Sequence, residues 1–163
     1  MTKSLKIVVA VVLVCLLVFC SPEEVEEPPK AETKAELLSS AVWMVASVEI
    51  QPAVEIDGKQ TTDYYSIFIP CLKDDLTKYN RDGTGYYDVG DAKCEPDEPQ
   101  QESFTWWFEN DKTRLVQGDG FEFVLEHLDE NKLTLSEKLS GSEVVGGDAN
   151  KIYTITAIHL HPK

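Results

Sequence analysis

From residue 42 onward, apolar and polar residues alternate along short stretches that are separated by turn-forming residues. Alternation with a period of two is typical of β-strands, because successive side chains of a strand point to opposite faces of the sheet. The pattern predicts a run of strands, and residues 35–40 before them suit a short helix. The predicted strands span residues 42–50, 63–69, 75–79, 85–89, 104–109, 114–116, 121–128, 133–139 and 152–160.

The links between these strands are mostly short and rich in Gly, Asp and Asn, as Asp57-Gly58, Asp129 to Asn131 and Gly146-Gly147 illustrate. Consecutive strands with short links favour an antiparallel meander, and closing the sheet into a barrel removes both of its exposed edges. We therefore predict an all-β fold, an up-and-down antiparallel barrel of about eight strands that is preceded by a short N-terminal helix.

Aromatic residues alternate on two of the predicted strands. Strand alternation places the members of each set on one face, and we expect both faces to point into the barrel. The two sets are Phe104, Trp106 and Phe108 on one strand and Phe121, Phe123 and Leu125 on the other. These side chains either line a cavity for an apolar molecule or fill the barrel completely. The aromatic residues expected to face outward are Tyr64, Tyr65, Tyr86, Tyr87 and Trp107.

Two cysteines lie symmetrically about a strong turn signal. Cys71 is eleven residues before Asp82, and Cys94 is eleven residues after Gly83. A two-residue turn at Asp82-Gly83 would place the cysteines directly opposite each other, and a three-residue turn would shift the pairing by one residue. Either register predicts a Cys71–Cys94 disulfide at the base of a β-hairpin.

The first 20 residues have the composition of a targeting segment. Lys3 and Lys6 precede an apolar run of 13 residues, Ile7 to Phe19, which ends at Cys20. The run is short for a membrane span and suits the core of a signal peptide. It resembles a bacterial lipoprotein signal, in which Cys20 would be acylated with palmitate-type chains and become the first residue of the mature protein. The alternatives are an uncleaved anchor and an ordinary secretory signal.

We accordingly assign residues 1–19 to a lipoprotein signal peptide, residues 20–36 to an acidic tether rich in Pro and Glu, and residues 37–163 to the barrel domain. Export to an oxidising compartment is consistent with a disulfide. We expect a lipid-anchored protein of the cell envelope, at the outer membrane. The acidic cluster after Cys20 resembles surface-export signals of Bacteroidetes lipoproteins, or it is a soluble spacer.

Charge argues against some partners. The chain has 29 acidic and 15 basic residues, for a net charge of −14. Nucleic acids require a basic face, so we expect no nucleic-acid partner. The membrane contact predicted here is the lipid anchor, and we expect the domain to be a monomer.

Candidate chemistry is sparse. His159 and His161 share one face of the last predicted strand, as two metal ligands would, but they lie beside the chain end. Calcium could take oxygens from Asp74, Asp75, Asp82, Asp88 and Asp91, but these residues lack the regular spacing of a calcium loop. Ser140-Gly141-Ser142 has no nucleophile-elbow context. We predict no catalytic residues, no metal site, no cofactor and no enzymatic activity.

The globular part resembles the lipocalin-like domain of exported Bacteroidetes lipoproteins over about residues 37–160. Its matching motifs, in order, are Asp57-Gly58, Pro70-Cys71, Lys73-Asp74-Asp75, Asn80-Arg81-Asp82-Gly83-Thr84, Lys93-Cys94-Glu95-Pro96, Thr105-Trp106, Leu128 to Leu135 and Tyr153-Thr154-Ile155-Thr156. Trp43 lies where lipocalins carry Gly-x-Trp, with Ala41 in place of the Gly, and it joins the predicted barrel-lining residues.

The resemblance implies an up-and-down barrel. Together with the aromatic alternation, it predicts an envelope-anchored lipoprotein that binds a small hydrophobic ligand in the barrel. The alternative is a structural or interaction module, with a filled barrel, displayed on the cell envelope for a protein or glycan partner.

Overall fold

The computed structural model describes residues 33–118 and 120–162, and within them it has one α-helix, nine strands and two short 3-10 helices. The helix is α1 (Lys34–Ser40), and the strands are β1 (Val42–Ile56), β2 (Lys59–Asp63), β3 (Leu76–Tyr79), β4 (Thr84–Asp88), β5 (Gln101–Glu109), β6 (Arg114–Gln117), β7 (Phe121–Leu128), β8 (Lys132–Ser140) and β9 (Ile152–Leu160). The predicted signal peptide, Cys20 and most of the predicted tether lie outside the described residues.

The strands form one antiparallel sheet that closes on itself. From β3 to β9, strands that follow each other in sequence are also neighbours in the sheet. The first strand closes the barrel, because β1 pairs with β3 at one edge and with β9 at the other. The closed barrel consists of β1 and β3 to β9, while β2 pairs with the second half of β1. The predicted eight-stranded antiparallel barrel is confirmed.

The short helix closes one end of this barrel. Thr33 caps α1 by accepting from the backbone N–H of Glu36, and the Glu36 carboxylate accepts from the N–H of Thr33. Leu38 is fully buried, and its carbonyl accepts from the Trp43 indole N–H at 2.8 Å. We call the end that α1 covers the closed end. None of the helices in the described residues has the length and apolarity needed to cross a membrane.

One predicted strand is wrong. Residues 63–69 do not continue as a strand, because the chain turns after β2 and forms 3-10 helices at Tyr65–Ile67 and Pro70–Leu72. Asp63 starts this turn, since its carboxylate and its carbonyl accept from the backbone N–H and the hydroxyl of Ser66. The segment after β2 therefore leaves the sheet instead of adding a strand to it.

A second apolar cluster extends the interior beyond the aromatic core. It comprises Val48, Ile50, Val54, Tyr64, Val144 and Tyr153, which are all buried. Tyr64, which we expected to face outward, lies here because its hydroxyl accepts from the backbone N–H of Val145. The Tyr153 hydroxyl likewise accepts from the N–H of Asp148. These two bonds fasten the loop between β8 and β9 to the barrel.

Candidate functional site

The predicted barrel-lining residues meet mainly in one cluster next to the closed end. Trp43, Phe104, Trp106 and Leu125 are buried in it together. Phe108 and Phe123 pack against the same cluster. The rings contact one another edge to face, as Trp106 does with Phe108 at a centroid distance of 5.5 Å. Aromatic side chains therefore fill this part of the barrel.

The structure places Phe121 elsewhere. Its side chain is 66% exposed, although strand alternation puts it on the same face as Phe123 and Leu125. Phe121 is the first residue of β7 and pairs with Gln117, the last residue of β6. It therefore lies at the rim, where no further strand residues follow to enclose its ring.

Tyr87 also differs from expectation, because it lies on the cavity side of β4, although it remains 38% exposed. In the register of the sheet it lies opposite Thr77 on β3 and Glu102 on β5, on the same face of β4 as Gly85. Its ring packs on Phe104 with a centroid distance of 4.5 Å. Gly85 makes room for this arrangement, since a Cβ atom there would lie 2.5 Å from the Phe104 ring. Burial is the main cause that raises the pKa of the Tyr87 hydroxyl, and Glu102 raises it further.

A cavity of about 310 Å³ lies in the barrel interior beside the aromatic cluster. Its apolar wall comes from several strands and from the 3-10 helices after β2. The apolar lining residues are Val45, Phe68, Leu72, Phe123, Leu135, Ile155 and Ala157. Leu72 is 41% exposed, so the cavity reaches the surface beside the 3-10 helices. We call this space the lumen cavity.

Three polar side chains that line the lumen cavity are hydrogen-bonded to one another. The Gln117 side chain donates from its amide nitrogen to the Tyr79 hydroxyl at 2.5 Å. The Tyr87 hydroxyl donates to the Gln117 amide oxygen at 3.4 Å. Burial raises the pKa of Tyr79. These three side chains line the cavity with their hydrogen-bonding groups partnered, which gives it a fixed polar surface.

His159 lines the lumen cavity from β9. Burial lowers the pKa of its imidazole to about 4, and a hydrogen bond with the backbone of Leu133 opposes this in part. The ring is therefore neutral at pH 7. Its Nδ1 atom is buried and has no hydrogen-bond partner among the described residues.

Two carboxylates also face the lumen cavity, Asp75 just before β3 and Glu137 on β8. Burial is the largest cause that raises the pKa of the Asp75 carboxyl. The negative charges of Asp74, Glu98 and Asp88 raise this pKa further. Burial likewise raises the pKa of Glu137, with a smaller effect from Glu143. The Asp75 Oδ1 atom is buried without a partner among the described residues.

The disulfide lies where the cavity reaches the surface. Cys71 and Cys94 are bonded, with Cα atoms 5.3 Å apart, so the predicted disulfide is confirmed. The hairpin between β3 and β4 has the three-residue turn, because Tyr79 pairs with Gly85 and Asn80 N–H donates to the Thr84 carbonyl. The cysteines lie beyond the paired strands, in a 3-10 helix and in the loop before β5. The bond therefore fixes Leu72 of the cavity wall to that loop.

The three histidines have different surroundings, and His159 lines the lumen cavity. His127 bonds to Asp129 at 2.7 Å on the surface, and this contact is the main cause that lowers the pKa of Asp129 to about 2. His161 packs edge to face on Trp43, with ring centroids 4.8 Å apart. Within residues 33–118 and 120–162, no group of three or more His, Cys, Asp or Glu side chains is placed to hold a metal ion.

A larger hollow of about 700 Å³ lies across β4 and β5. Its wall combines Phe104 and Phe121 with polar residues such as Asn80, Glu102 and Ser103. Unlike the lumen cavity, it draws its residues mainly from two neighbouring strands and is not enclosed by the barrel. The lumen cavity is therefore the stronger candidate site.

The polar residues of the lumen cavity were not predicted as site residues. A signal for them exists in the alternation: Glu137 shares a strand face with Leu133, Leu135 and Leu139, and Gln117 shares one with Leu115. A lone polar residue on an apolar strand face is costly to bury, so it marks a position with a specific partner. His159 carries the same signal among Ile155 and Ala157.

Comparison with known proteins gave no match: no protein-family model matches the chain, and a search of the curated proteins finds no matching sequence.

Proposed function

We propose that this chain is an envelope-anchored, lipocalin-like lipoprotein that binds a small hydrophobic ligand inside its barrel and carries out no catalysis. The observation that carries this proposal is the lumen cavity. Its volume of about 310 Å³ lies at the lower end of the range typical of small-molecule sites, about 300 to 1,000 Å³. Its wall is mostly apolar with a few convergent polar groups, which is the usual composition of such sites.

Aromatic side chains fill one part of the barrel, and the lumen cavity lies beside this filled part. Trp43, Trp106 and Leu125 pack solidly beside the closed end, so the cavity is bounded by a rigid core. A rigid boundary lowers the entropy lost when a ligand binds. The anchoring part of the proposal rests on the sequence, namely the apolar run from Ile7 to Phe19 that ends at Cys20.

The test is titration of the purified protein with N-phenyl-1-naphthylamine, an uncharged probe whose fluorescence rises in apolar surroundings. We expect saturable enhancement in the wild-type protein. Ala157→Phe should abolish it, because Ala157 lines the lumen cavity and the added ring would fill the space. Thr134→Phe adds the same ring on the outer face of β8, between the buried Leu133 and Leu135, and should leave binding unchanged.

Two results would contradict the proposal. Equal enhancement in Ala157→Phe and wild type would place the probe outside the barrel. A wild-type protein that binds no probe, while remaining folded by circular dichroism, would favour the displayed structural or interaction module instead.

A further inference from the structure

The charge on the lumen cavity limits what it can hold. Among the described residues that line it, two are carboxylates, Asp75 and Glu137, and none is Lys or Arg. The one titratable nitrogen base, His159, is neutral at pH 7. An anion such as a fatty acid would therefore meet negative charge without any counter-charge, which is unfavourable in a low-dielectric interior.

The aromatic residues of the cavity point to the opposite charge. Phe68, Tyr79, Tyr87 and Phe123 all contribute to its wall. The faces of aromatic rings attract cations, and rings combined with carboxylates are a typical setting for organic ammonium groups. The charges of Asp74, Asp88 and Glu98 act on Asp75 and extend the negative potential to the surface side of the cavity.

Two polar side chains of the cavity lining each have an atom that makes no hydrogen bond to a described residue. Asp75 Oδ1 and His159 Nδ1 have no hydrogen-bond partner among the described residues. In the sheet, Val45 pairs with His159 on β9, and Met44 pairs on the other side of β1 with Leu76, the residue that follows Asp75. Asp75 and His159 therefore lie on the two sides of β1, near the same level of the barrel wall. A carboxylate accepts hydrogen bonds, and the neutral imidazole can accept or donate one.

We propose that the lumen cavity selects a small primary amine with an apolar body, whose ammonium group is held by Asp75 beside His159. The apolar body lies against Phe123, Leu135 and Ile155, and Glu137 supplies the second negative charge. This inference rests on the proposed function, since it names the chemical class of the ligand for the same cavity.

The experiment compares three compounds that share a phenyl ring on a short alkyl chain: 2-phenylethylamine, 2-phenylethanol and 3-phenylpropionate. Each is titrated by calorimetry into the purified protein at pH 7. We expect the amine to bind about tenfold or more tightly than the alcohol, because a hydrogen bond to a charged group is worth about 1.5 to 3 kcal/mol. The carboxylate should bind most weakly.

Variants separate direct contact from the general negative field. Asp75→Asn should reduce the preference for the amine over the alcohol to about threefold or less, while binding of the neutral naphthylamine probe persists. Glu137→Gln is a second variant of the cavity lining, and it should also reduce the preference for the amine over the alcohol. Asp97→Asn removes an equal charge from a position outside the cavity lining, and it should keep the wild-type preference.

The outcomes are distinct. Binding of the neutral probe with equal affinity for amine and alcohol overturns the ammonium assignment and leaves the proposed function standing. Tighter binding of the carboxylate than of the amine overturns it as well. No binding of the probe or of any of the three compounds overturns both.

Discussion

Burial of the His159 side chain makes the stability of the fold depend on pH. Its imidazole lies in the barrel wall, and burial lowers its pKa from 6.5 to about 4. In the unfolded chain the same group has an ordinary pKa near 6.5. As the pH falls below 6.5, the unfolded chain therefore takes up a proton before the folded protein does, and the equilibrium shifts toward unfolding.

We predict that this residue contributes about 3 kcal/mol of stability above pH 6.5, which is lost as the pH falls to about 4. Asp75 and Glu137 act in the opposite direction, because their raised pKa values favour protonation in the folded state. Denaturant unfolding of wild type and His159→Gln between pH 4 and pH 7 isolates the histidine. The variant should lose less stability on acidification. Parallel pH profiles of the two proteins would show that His159 is not the cause.

At the scale of the element, two adjacent tryptophans of β5 point to opposite faces of the strand, one into the core and one to the surface. Trp106 is 6% exposed, and its indole N–H lies 3.0 Å and 2.9 Å from the carbonyls of Asn80 and Thr84. Trp107 is 43% exposed and donates to the Glu109 carboxylate. The strand period of two thus gives neighbouring residues different roles.

We predict that Trp106→Ala lowers the free energy of unfolding by about 3 to 5 kcal/mol, because it leaves a cavity in the aromatic core. Trp107→Ala is the matched control on the opposite face and should cost about 1 kcal/mol or less. Urea unfolding followed by circular dichroism measures both. Equal losses in the two variants would mean that the strand faces are not divided as described.

The Cys71–Cys94 disulfide is a second stabilising feature at the scale of the element. It joins residues 23 positions apart, and a loop of that length should stabilise the fold by about 3 kcal/mol through restriction of the unfolded chain. We predict that the double variant Cys71→Ser with Cys94→Ser loses this amount in urea unfolding. Reductant should bring the wild type to the stability of the variant and leave the variant unchanged. A wild type that is insensitive to reductant after unfolding and refolding would contradict this prediction.

At the scale of the whole molecule, alternation and turns predicted the barrel, since each face of a strand is set by a period of two. Residues 63–69 were misjudged because their apolar sequence suits a strand, while the turn at Asp63 and Ser66 depends on local hydrogen bonds. Phe121 is exposed because it pairs with the last residue of β6. Strand alternation predicts which face a side chain is on, but not where the neighbouring strand ends. The polar lining formed by Asp75, Gln117 and His159 comes from three strand regions that only the closed barrel brings together.

The proposed lipid anchor at Cys20 can be tested by substituting cysteines of the apolar N-terminal segment. We predict that Cys20→Ala abolishes labelling by an alkynyl palmitate analogue in a bacterial host and leaves an unprocessed precursor. Cys15→Ala is the matched control, because Cys15 lies within the apolar run and would leave with the signal. Labelling that persists in Cys20→Ala would refute lipidation at this residue.

The closure of the barrel by its first and last strands has a mechanical consequence. Because β1 and β9 are antiparallel, β1 begins and β9 ends at the same end of the pair, where Met44 faces Leu160. A force that pulls Val42 and Leu160 apart would load the hydrogen bonds between β1 and β9 one after another, as in the opening of a zip. Antiparallel bonds lie perpendicular to the strands, so each would be stretched along its own axis. The barrel should therefore yield to such a pull at low force, although its equilibrium stability is that of a closed sheet.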